Sequence, residues 1–185
     1  GRRSEEIRDL CSSEFGVSIL DMSESMVQEA IEKGFEGIHS TYLDHQLRPE
    51  YYDACYFLYA FGHVPSNKER FETLSKIYHE LKIGGRFYFD VFNIENKNEW
   101  GVTAKSIHYS HGLNYMGYDE GDVFYKKDGG NAVAYLHYFQ AAELEHIIQK
   151  IGFKIVSQRN IGYVKNAGEW TDNPAEGNLF YILEK

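Results

Sequence analysis

Two side chains that could do chemistry stand where predicted strands end. Asp21 closes the short apolar run 17–20, and its two carboxylate oxygens can accept hydrogen bonds from two neighbouring hydroxyl groups. His63 follows the apolar run 52–59 and could orient a substrate or take up a proton near neutral pH. Because parallel sheets bind ligands at the carboxyl ends of their strands, both side chains are candidates for a binding site.

These residue types also have other interpretations. Asp21 could instead cap the helix predicted to follow it, with Glu24 beside it. His108 and His111 are three residues apart, a spacing that suggests a metal site. No third ligand stands at a suitable spacing, so we predict no metal.

Residues 52–93 are predicted to form a strand, a helix and a second strand. These elements would place His63 at the carboxyl ends of the two strands. The first part of this stretch is apolar and aromatic, as in a strand buried on both faces. Ser66 followed by Glu69 forms a capping box at a helix start, and Gly84-Gly85 is expected to end that helix. Short turns between the three elements predict a right-handed βαβ unit and a parallel sheet. The apolar stripe of the helix is Phe71, Leu74, Ile77, Tyr78 and Leu81.

The residues before this stretch predict the same alternation of helix and strand. Residues 1–13 have helical apolar spacing, 17–20 and 37–40 are short strands, and a helix between those strands stops at Gly34. The order helix, strand, helix, strand, strand, helix, strand predicts an α/β wound sheet. The apolar residues of the second helix are Met26, Val27, Ala30 and Ile31.

The alternation is lost after Asn93. Residues 95–118 show no clear period, and we interpret them as an insertion or lid. Residues 123–139 predict a hairpin with a glycine-rich turn at 128–131. A last helix, 141–151, ends at Gly152, and strands are predicted at 153–159 and 179–183.

Aromatic side chains are concentrated in this later region. They could form a lid that stacks on a flat ligand, a second small core, or a subunit interface. The residues concerned are Trp100, Tyr109, Tyr115, Tyr118, Phe124, Tyr125, Tyr135, His137, Tyr138 and Phe139.

The composition fits one α/β domain. With 185 residues, 43% of them hydrophobic, the chain can bury a sizeable core. It shows no apolar run of membrane-spanning length and no leader, so we expect a cytoplasmic protein. The net charge of −9 disfavours nucleic-acid binding through a large basic face. Cys11 and Cys55 are expected to be reduced thiols, with Cys55 a small buried residue within a strand.

A series of motifs resembles class I S-adenosylmethionine-dependent methyltransferases over most of the chain. Residues 21–26 (DMSESM) are similar to the D-x-S-x-x-M after the family's second strand, and 52–54 (YDA) to the F-D-x-V of its fourth. Residues 144–153 (LEHIIQKIGF) resemble the E-L-x-x-L-L-x-x-A-G-F helix before the closing hairpin. The H-x-P, E-R, L-x-x-I and L-K-P-G-G motifs correspond to His63-Val64-Pro65, Glu69-Arg70, Leu74 with Ile77, and Leu81-Lys82-Ile83-Gly84-Gly85.

The resemblance implies a Rossmann-like class I methyltransferase sheet, mostly parallel with an antiparallel C-terminal hairpin. It implies one domain, 1–185, with a cofactor-binding part at 1–93, an insertion with the hairpin at 94–139, and C-terminal helix and strands at 140–185. The family's first strand and glycine-rich loop would end at about Gly1, so we expect both to be lacking from a truncated chain. That strand is central in the family fold, and its loss would leave backbone unpaired on two neighbours.

The resemblance also implies S-adenosylmethionine as the cofactor. Asp21 would bind both ribose hydroxyls, and Met22 would pack on the adenine, with an ordinary core methionine as the alternative. Thr41 stands where many relatives carry the acidic residue that contacts the adenine amine, and Asp44 follows three residues later. A hydroxyl accepts that hydrogen bond less strongly than a carboxylate.

Further residues are implied at the two ends of the cofactor. Gly1 would let the backbone approach its methionine end, as the last motif glycine of the family does. Tyr42, Leu58 and Tyr59 would line the adenine and methionine sides, with plain packing as the alternative. His63 is the candidate catalytic residue, although a positioning or structural role is favoured because a sulfonium donor is already activated.

The predicted methyl acceptor is a small molecule or a tRNA wobble uridine. Residues 121–124 (GDVF), 135–139 (YLHYF) and the closing 177–185 resemble the C-terminal half of wobble-uridine tRNA methyltransferases, with G-D-x-F and R-Y-Y-H-x-F. That resemblance implies methyl ester formation on a carboxymethylated uridine and a small activating partner protein. Ala134 stands at the arginine of the motif, and a small-metabolite acceptor is the equal alternative.

Two other protein classes stay open. One is a non-catalytic binding or scaffold domain that keeps this fold. The other is a nicotinamide oxidoreductase, which also binds ribose through an acid after its second strand. The D-x-S-x-x-M turn and the antiparallel final hairpin argue against the second class.

Overall fold

The computed structural model describes residues 2–10, 15–126, 133–162 and 168–185. Gly1, Cys11, the predicted hairpin turn 128–131 and residues 166–167 of the last loop lie outside the described residues. The chain divides into two compact units, Gly1–Leu47 and Arg48–Lys185. The predicted division at residues 93 and 139, and the predicted lack of a first strand and glycine-rich loop, stay predictions.

The first unit alternates helices and short parallel strands. Helix α1 (Arg2–Leu10) precedes β1 (Ser18–Asp21), α2 (Glu24–Glu32) and β2 (Glu36–His39). β1 and β2 pair in parallel, with Asp21 opposite His39 at their carboxyl ends. Helix α2 buries Val27 and Ala30, whereas the predicted stripe residues Met26 and Ile31 are 40% and 47% exposed.

The second unit begins with the predicted strand, helix and strand. They are β3 (Tyr52–Phe57), α3 (Asn67–Glu80) and β4 (Leu81–Val91), and β3 pairs with β4 in parallel. Ser66 is the N-cap of α3, and its side chain accepts a hydrogen bond from the Glu69 amide at 3.2 Å. The βαβ unit and its cap are therefore confirmed.

The predicted end of α3 is wrong. The helix stops at Glu80, and Leu81, which is fully buried, already has extended backbone angles. Gly84-Gly85 lie inside β4, where Gly84 has a φ of +78°. The register with β3 shifts here, because Tyr52 faces Leu81 but Ala54 faces Arg86. The glycines thus form an irregularity in a strand rather than the C-cap of a helix.

The sheet of the second unit is mixed, because parallel and antiparallel pairs occur together. Its strand order is β3-β4-β9-β7-β8, with β7 at Lys154–Gly162, β8 at Glu169–Thr171 and β9 at Asn178–Glu184. β9 lies between β4 and β7 and is antiparallel to both. An antiparallel neighbour needs no helical crossover, and the described part of the connection from β7 to β9 holds β8 and a 3₁₀ turn at Pro174–Glu176. The predicted antiparallel closing hairpin is confirmed.

Residues 95–118 contain a helix that the sequence did not reveal. Helix α4 (Gly101–Ser110) is followed by a 3₁₀ turn at Leu113–Met116. The buried residues of α4 are Gly101, Ala104 and His108, which have helical spacing but no large apolar side chain. The absence of an apolar stripe is why no period was visible.

The predicted hairpin and final helix are present. β5 (Asp122–Lys126) and β6 (Val133–His137) pair antiparallel, and α5 (Ala141–Ile151) ends before Gly152, whose φ is +109°. No helix in the described ranges combines the length and apolar composition needed to cross a membrane. A small core joins α4 to the hairpin and consists of Ile94, Ala104, Val123, Leu136 and Tyr138 with Phe92 and Ile107. Tyr138 belongs to the predicted aromatic set, whereas Trp100 and Tyr115 of that set are exposed, so the choice between lid, second core and interface stays open.

Candidate functional site

Asp21 lies at the carboxyl end of β1, as predicted, and is partly buried. Its Oδ1 accepts a hydrogen bond from the amide of Ser23, the N-cap residue of α2, at 2.8 Å. This contact fixes the turn between β1 and α2. Asp21 accepts from the N-cap residue itself and not from the first amides inside the helix, so it is not a helix cap in the sense of the alternative interpretation. Oδ2 has no hydrogen-bond partner among the described residues. One carboxylate oxygen therefore shapes the turn, and the other can accept a ligand hydroxyl.

Met22 is an exposed side chain beside Asp21. It is 71% exposed, so its interpretation as an ordinary core methionine is wrong. Its carbonyl oxygen is 3.1 Å from Nε2 of His39, at the end of β2. The packing of Met22 on adenine stays a prediction.

Thr41 and Asp44 form a hydrogen-bonded pair after β2. The Thr41 hydroxyl donates to Oδ2 of Asp44 at 2.5 Å and accepts from the Asp44 amide at 3.1 Å. Position 41 has no acidic group, but the carboxylate of Asp44 lies beside the Thr41 hydroxyl. Tyr42 lies in the same turn, edge-on to His45 with ring centroids 4.9 Å apart, and its carbonyl accepts from Nδ1 of His45 at 2.6 Å.

The carboxyl ends of β3 and β4 meet in the second unit. Tyr59 has a φ of +56°, a left-handed conformation that is unfavourable for a side chain of this kind. Its amide donates to Oδ1 of the buried Asp90 at 2.7 Å. Such backbone conformations persist where the surrounding structure fixes them, and they are concentrated at ligand sites. Leu58 and Tyr59 are half-buried at this strand end.

His63 is exposed in a 3₁₀ turn, Phe61–His63, after β3. Its Nδ1 is 3.0 Å from the carbonyl oxygen of Tyr135 in β6. Because a carbonyl only accepts, Nδ1 carries the hydrogen, and Nε2 is left as an acceptor in the neutral ring. The contact ties this turn to the hairpin, and the role of His63 stays a prediction.

The structure brings together a buried polar network that the sequence did not indicate. Arg70 of α3 is fully buried, and its Nη2 donates to Oδ1 of Asp122 at 3.2 Å and to the Tyr135 hydroxyl. The same Oδ1 of Asp122 is 2.7 Å from Nδ1 of His137. Asp122, Tyr135 and His137 belong to the sequences that resemble G-D-x-F and R-Y-Y-H-x-F, and Arg70 to the E-R pair. The one sequence signal for this network was the presence of Asp122 and His137 at the ends of two strands that are rich in apolar and aromatic residues.

The environment of Asp122 favours its ionised form. Burial alone would raise its pKa, but hydrogen bonds from His137 and Tyr135 and the nearby charges lower it below its ordinary value. Burial and the hydrogen bond to Asp122 raise the pKa of the Tyr135 phenol, so its hydroxyl stays protonated. Asp122 is therefore a charged acceptor that holds Arg70, Tyr135 and His137 around one oxygen.

The other sequence candidates have structural partners. His108 is buried, with Nδ1 3.1 Å from the Asp122 carbonyl oxygen, and His111 is exposed. Within the described part of the chain, no group of three His, Cys, Asp or Glu residues could hold a metal ion. Cys55 is a free thiol in β3, as predicted, and burial followed by the charge of Glu80 raises its pKa to about 12.

Solved S-adenosylmethionine-dependent methyltransferases are similar to this chain in fold. One from Methanosarcina mazei matches with a TM-score of 0.74 and 16% identity, covering 98% of this chain and 86% of its own. The CcbJ methyltransferase from Streptomyces caelestis matches with a TM-score of 0.68 and 13% identity, covering 100% and 84%. The 1,6-didemethyltoxoflavin-N1-methyltransferase from Burkholderia thailandensis, with bound 1,6-didemethyltoxoflavin and S-adenosylhomocysteine, matches with a TM-score of 0.65 and 14% identity, covering 100% and 66%.

No family model matches the chain, and no curated protein matches its sequence. At identities this low, the comparison with solved structures establishes the fold. The chain therefore has the α/β fold of S-adenosylmethionine-dependent methyltransferases.

Proposed function

We propose that the protein is an S-adenosylmethionine-dependent methyltransferase that acts on a small molecule. The observation that carries the proposal is the fold match to such enzymes over nearly the whole chain. When bound, the cofactor supplies a methyl group already activated on a sulfonium. The protein then has to bind the cofactor and align the acceptor with it.

The residues at the strand ends fit this cofactor. Oδ2 of Asp21 can accept from a ribose hydroxyl, and the exposed side chain of Met22 offers an apolar face for the adenine. The Thr41–Asp44 pair supplies acceptor oxygens for the adenine amine. Tyr42, Leu58 and Tyr59 would contribute further lining, and Gly1 keeps its proposed role at the methionine end.

A thermal shift experiment on the protein at its natural length tests cofactor binding. S-adenosylhomocysteine at a hundredfold excess over its Kd should raise the melting temperature by about 5 to 10 °C, whereas NADH should not. Asp21→Ala should remove most of that shift. Asp53→Ala is the matched control, because Asp53 stands near the amino end of β3, away from the carboxyl ends where ligands bind.

The outcomes separate the three protein classes. A shift with NADH alone would indicate an oxidoreductase, and no shift with either ligand would indicate the scaffold domain. Loss of the shift in Asp53→Ala but not in Asp21→Ala would contradict the assigned role of Asp21.

The acceptor class is supported by a solved structure of this fold, which holds the small molecule 1,6-didemethyltoxoflavin. The wobble-uridine acceptor and its small activating protein stay predictions. The motif residues Asp122, Tyr135 and His137 contact one another rather than marking an RNA surface by themselves. Incubation with labelled cofactor and either bulk tRNA or a small-molecule extract distinguishes the acceptors. We expect label in the extract, and label in tRNA would reverse the assignment.

A further inference from the structure

A tyrosine in a left-handed conformation turns the chain where β3 ends. Tyr59 has a φ of +56° although it is not a glycine. This region is unfavourable for an L-residue, because its Cβ comes too close to the following carbonyl oxygen. Among the described residues, the other non-glycine with a positive φ is Glu50, at +51°, in an exposed turn before β3. The conformation of Tyr59 is therefore imposed by its surroundings.

The side chain of Asp90 supplies the hydrogen bond that holds this turn. It is 3% exposed near the carboxyl end of β4, and its Oδ1 accepts from the Tyr59 amide at 2.7 Å. β3 and β4 are parallel, and Asp90 lies one residue beyond Phe89, which is opposite Phe57 at the end of β3. A side chain of one strand thus fixes the backbone that leaves the neighbouring strand. Because the carboxyl is buried, water competes little with this hydrogen bond.

The residues that follow this turn are anchored in the core. Phe61 is fully buried, and its ring stacks on Phe139 with the ring centroids 5.6 Å apart. At Gly62 an added Cβ would lie 2.9 Å from Cδ1 of Leu136, so the chain packs closely against the hairpin. Segment 58–60 therefore runs between two fixed points, the buried carboxyl of β4 and this buried ring.

We propose that Asp90 is a positioning residue of the cofactor site, which holds Tyr59 left-handed and so presets segment 58–60 for the cofactor. The inference rests on the proposed function, in which Leu58 and Tyr59 line that site. Asp90 acts through the Tyr59 backbone and not by contact with the ligand. The cost of the unfavourable conformation is then met when the chain folds, so binding does not have to meet it.

Melting temperatures of paired variants test whether the turn is strained. At an ordinary position glycine is less stable than alanine, but at a left-handed position the order reverses, because alanine carries a Cβ. Tyr59→Gly should therefore melt about 2 to 4 °C above Tyr59→Ala. Tyr56, within β3 and without a positive φ, is the matched control, and Tyr56→Gly should melt below Tyr56→Ala. A Tyr59→Gly protein that melts no higher than Tyr59→Ala would overturn the proposal.

Calorimetric titration with S-adenosylhomocysteine, on the protein at its natural length, tests the role of Asp90. Asp90→Asn keeps an acceptor oxygen for the Tyr59 amide and should retain the affinity of the parent. Asp90→Ala removes the acceptor and should weaken binding about tenfold, which matches the left-handed preference of one residue. In a Tyr59→Gly background the same change should weaken binding less, because glycine enters the left-handed region unaided.

Two further variants separate positioning from general damage to the fold. Glu50→Gly also relieves a positive φ, but outside the proposed site, so it should leave the affinity unchanged. If Asp90→Ala does not fold, Asp90→Leu fills the same buried space without an acceptor and takes its place. Equal weakening by Asp90→Asn and the variant without an acceptor, or a loss that Tyr59→Gly does not reduce, would contradict a role through the Tyr59 backbone.

The outcomes also distinguish this inference from the proposed function. A parent protein that does not bind S-adenosylhomocysteine would overturn the proposed function and the site role of Asp90 with it. The melting order at position 59 would still decide whether the turn is strained. Binding by the parent that is equally tight in Asp90→Ala would overturn this inference and leave the proposed function standing.

Discussion

At the scale of single residues, Arg70 shows how a buried charge can hold distant segments together. Its Nε donates to the Val64 carbonyl at 3.1 Å and its Nη1 to Oδ1 of Asn67 at 3.0 Å. Nη2 reaches Asp122 and Tyr135 on the hairpin, and the guanidinium lies 5.4 Å from the ring centroid of Phe139. The planar fork of arginine suits such a set of acceptors, which a lysine could not satisfy.

Arg70→Met should destabilise the protein by about 3 to 5 kcal/mol, because it leaves Asp122 and Tyr135 buried without their cationic partner. Urea unfolding followed by circular dichroism measures the change. Arg86→Met is the matched control, since Arg86 is about half exposed and pairs with Glu184 at 3.7 Å, so it should cost less than about 0.5 kcal/mol. Equal costs for the two variants would contradict the importance of the network.

Asp122 should make the free energy of unfolding depend on pH in the acidic range. Its pKa is lowered in the folded state, so the folded protein binds fewer protons there than the unfolded chain. The stabilisation is therefore complete above the unfolded pKa of about 3.9 and is lost as pH falls through the folded value. Asp122→Asn should be less stable than the parent at pH 6, and the gap should narrow towards pH 3 in urea unfolding series. A constant gap would contradict the assignment.

At the scale of elements, the sequence predicted those whose signals are local. Helix α5 was placed at its observed bounds because Leu144 and Ile148 are buried at helical spacing and Gly152 can adopt a positive φ. The start of α3 was found because Ser66 and Glu69 have capping chemistry that does not depend on the rest of the fold.

Other elements could not be predicted because their causes are tertiary. Helix α4 buries Gly101, Ala104 and His108, and Ile107 packs against the small core only partly buried, so its inner face lacks a stripe of large apolar side chains. The place of β9 between β4 and β7 follows from pairing between segments far apart in the chain. The end of α3 was misplaced because Leu81 is buried in extended conformation, which overrode the expectation from Gly84-Gly85.

Ser66→Ala should cost about 1 kcal/mol, because the Glu69 amide loses its side-chain acceptor at the start of α3. Urea unfolding of the two proteins measures the difference. Ser75→Ala, inside the same helix, removes the same hydroxyl and should be neutral or slightly stabilising, since alanine favours helix. A cost at position 75 equal to that at position 66 would show that the cap contributes nothing of its own.

At the scale of the whole molecule, the candidate residues belong to both units. Asp21, Met22, Thr41 and Tyr42 lie in the first, and Leu58, Tyr59 and His63 in the second. Asp21, Tyr42, Leu58, Tyr59 and His63 were predicted from the rule on the carboxyl ends of strands, and Met22 and Thr41 from the family resemblance. The buried network could not be found this way, because Arg70 and Asp122 are 52 residues apart and only the folded chain brings them together.

The two units should differ in local stability. In the first, the buried apolar side chains among the described residues are Val27, Ala30 and Phe35. The second has an aromatic core in which Phe87, Phe89 and Tyr181 are fully buried. Regions with few buried apolar contacts open at lower free energy than a packed core.

Native-state hydrogen exchange on the intact chain, read by mass spectrometry, measures this difference. Peptides of β4 and β9 should exchange slowest, close to the rate set by global unfolding, and peptides of α2 should exchange at least tenfold faster, since the free energies should differ by more than about 1.4 kcal/mol. Leu183→Ala, in the core of the second unit, should accelerate exchange in β4 and β9. Exchange of α2 as slow as that of β4 would show that the two units unfold as one cooperative body.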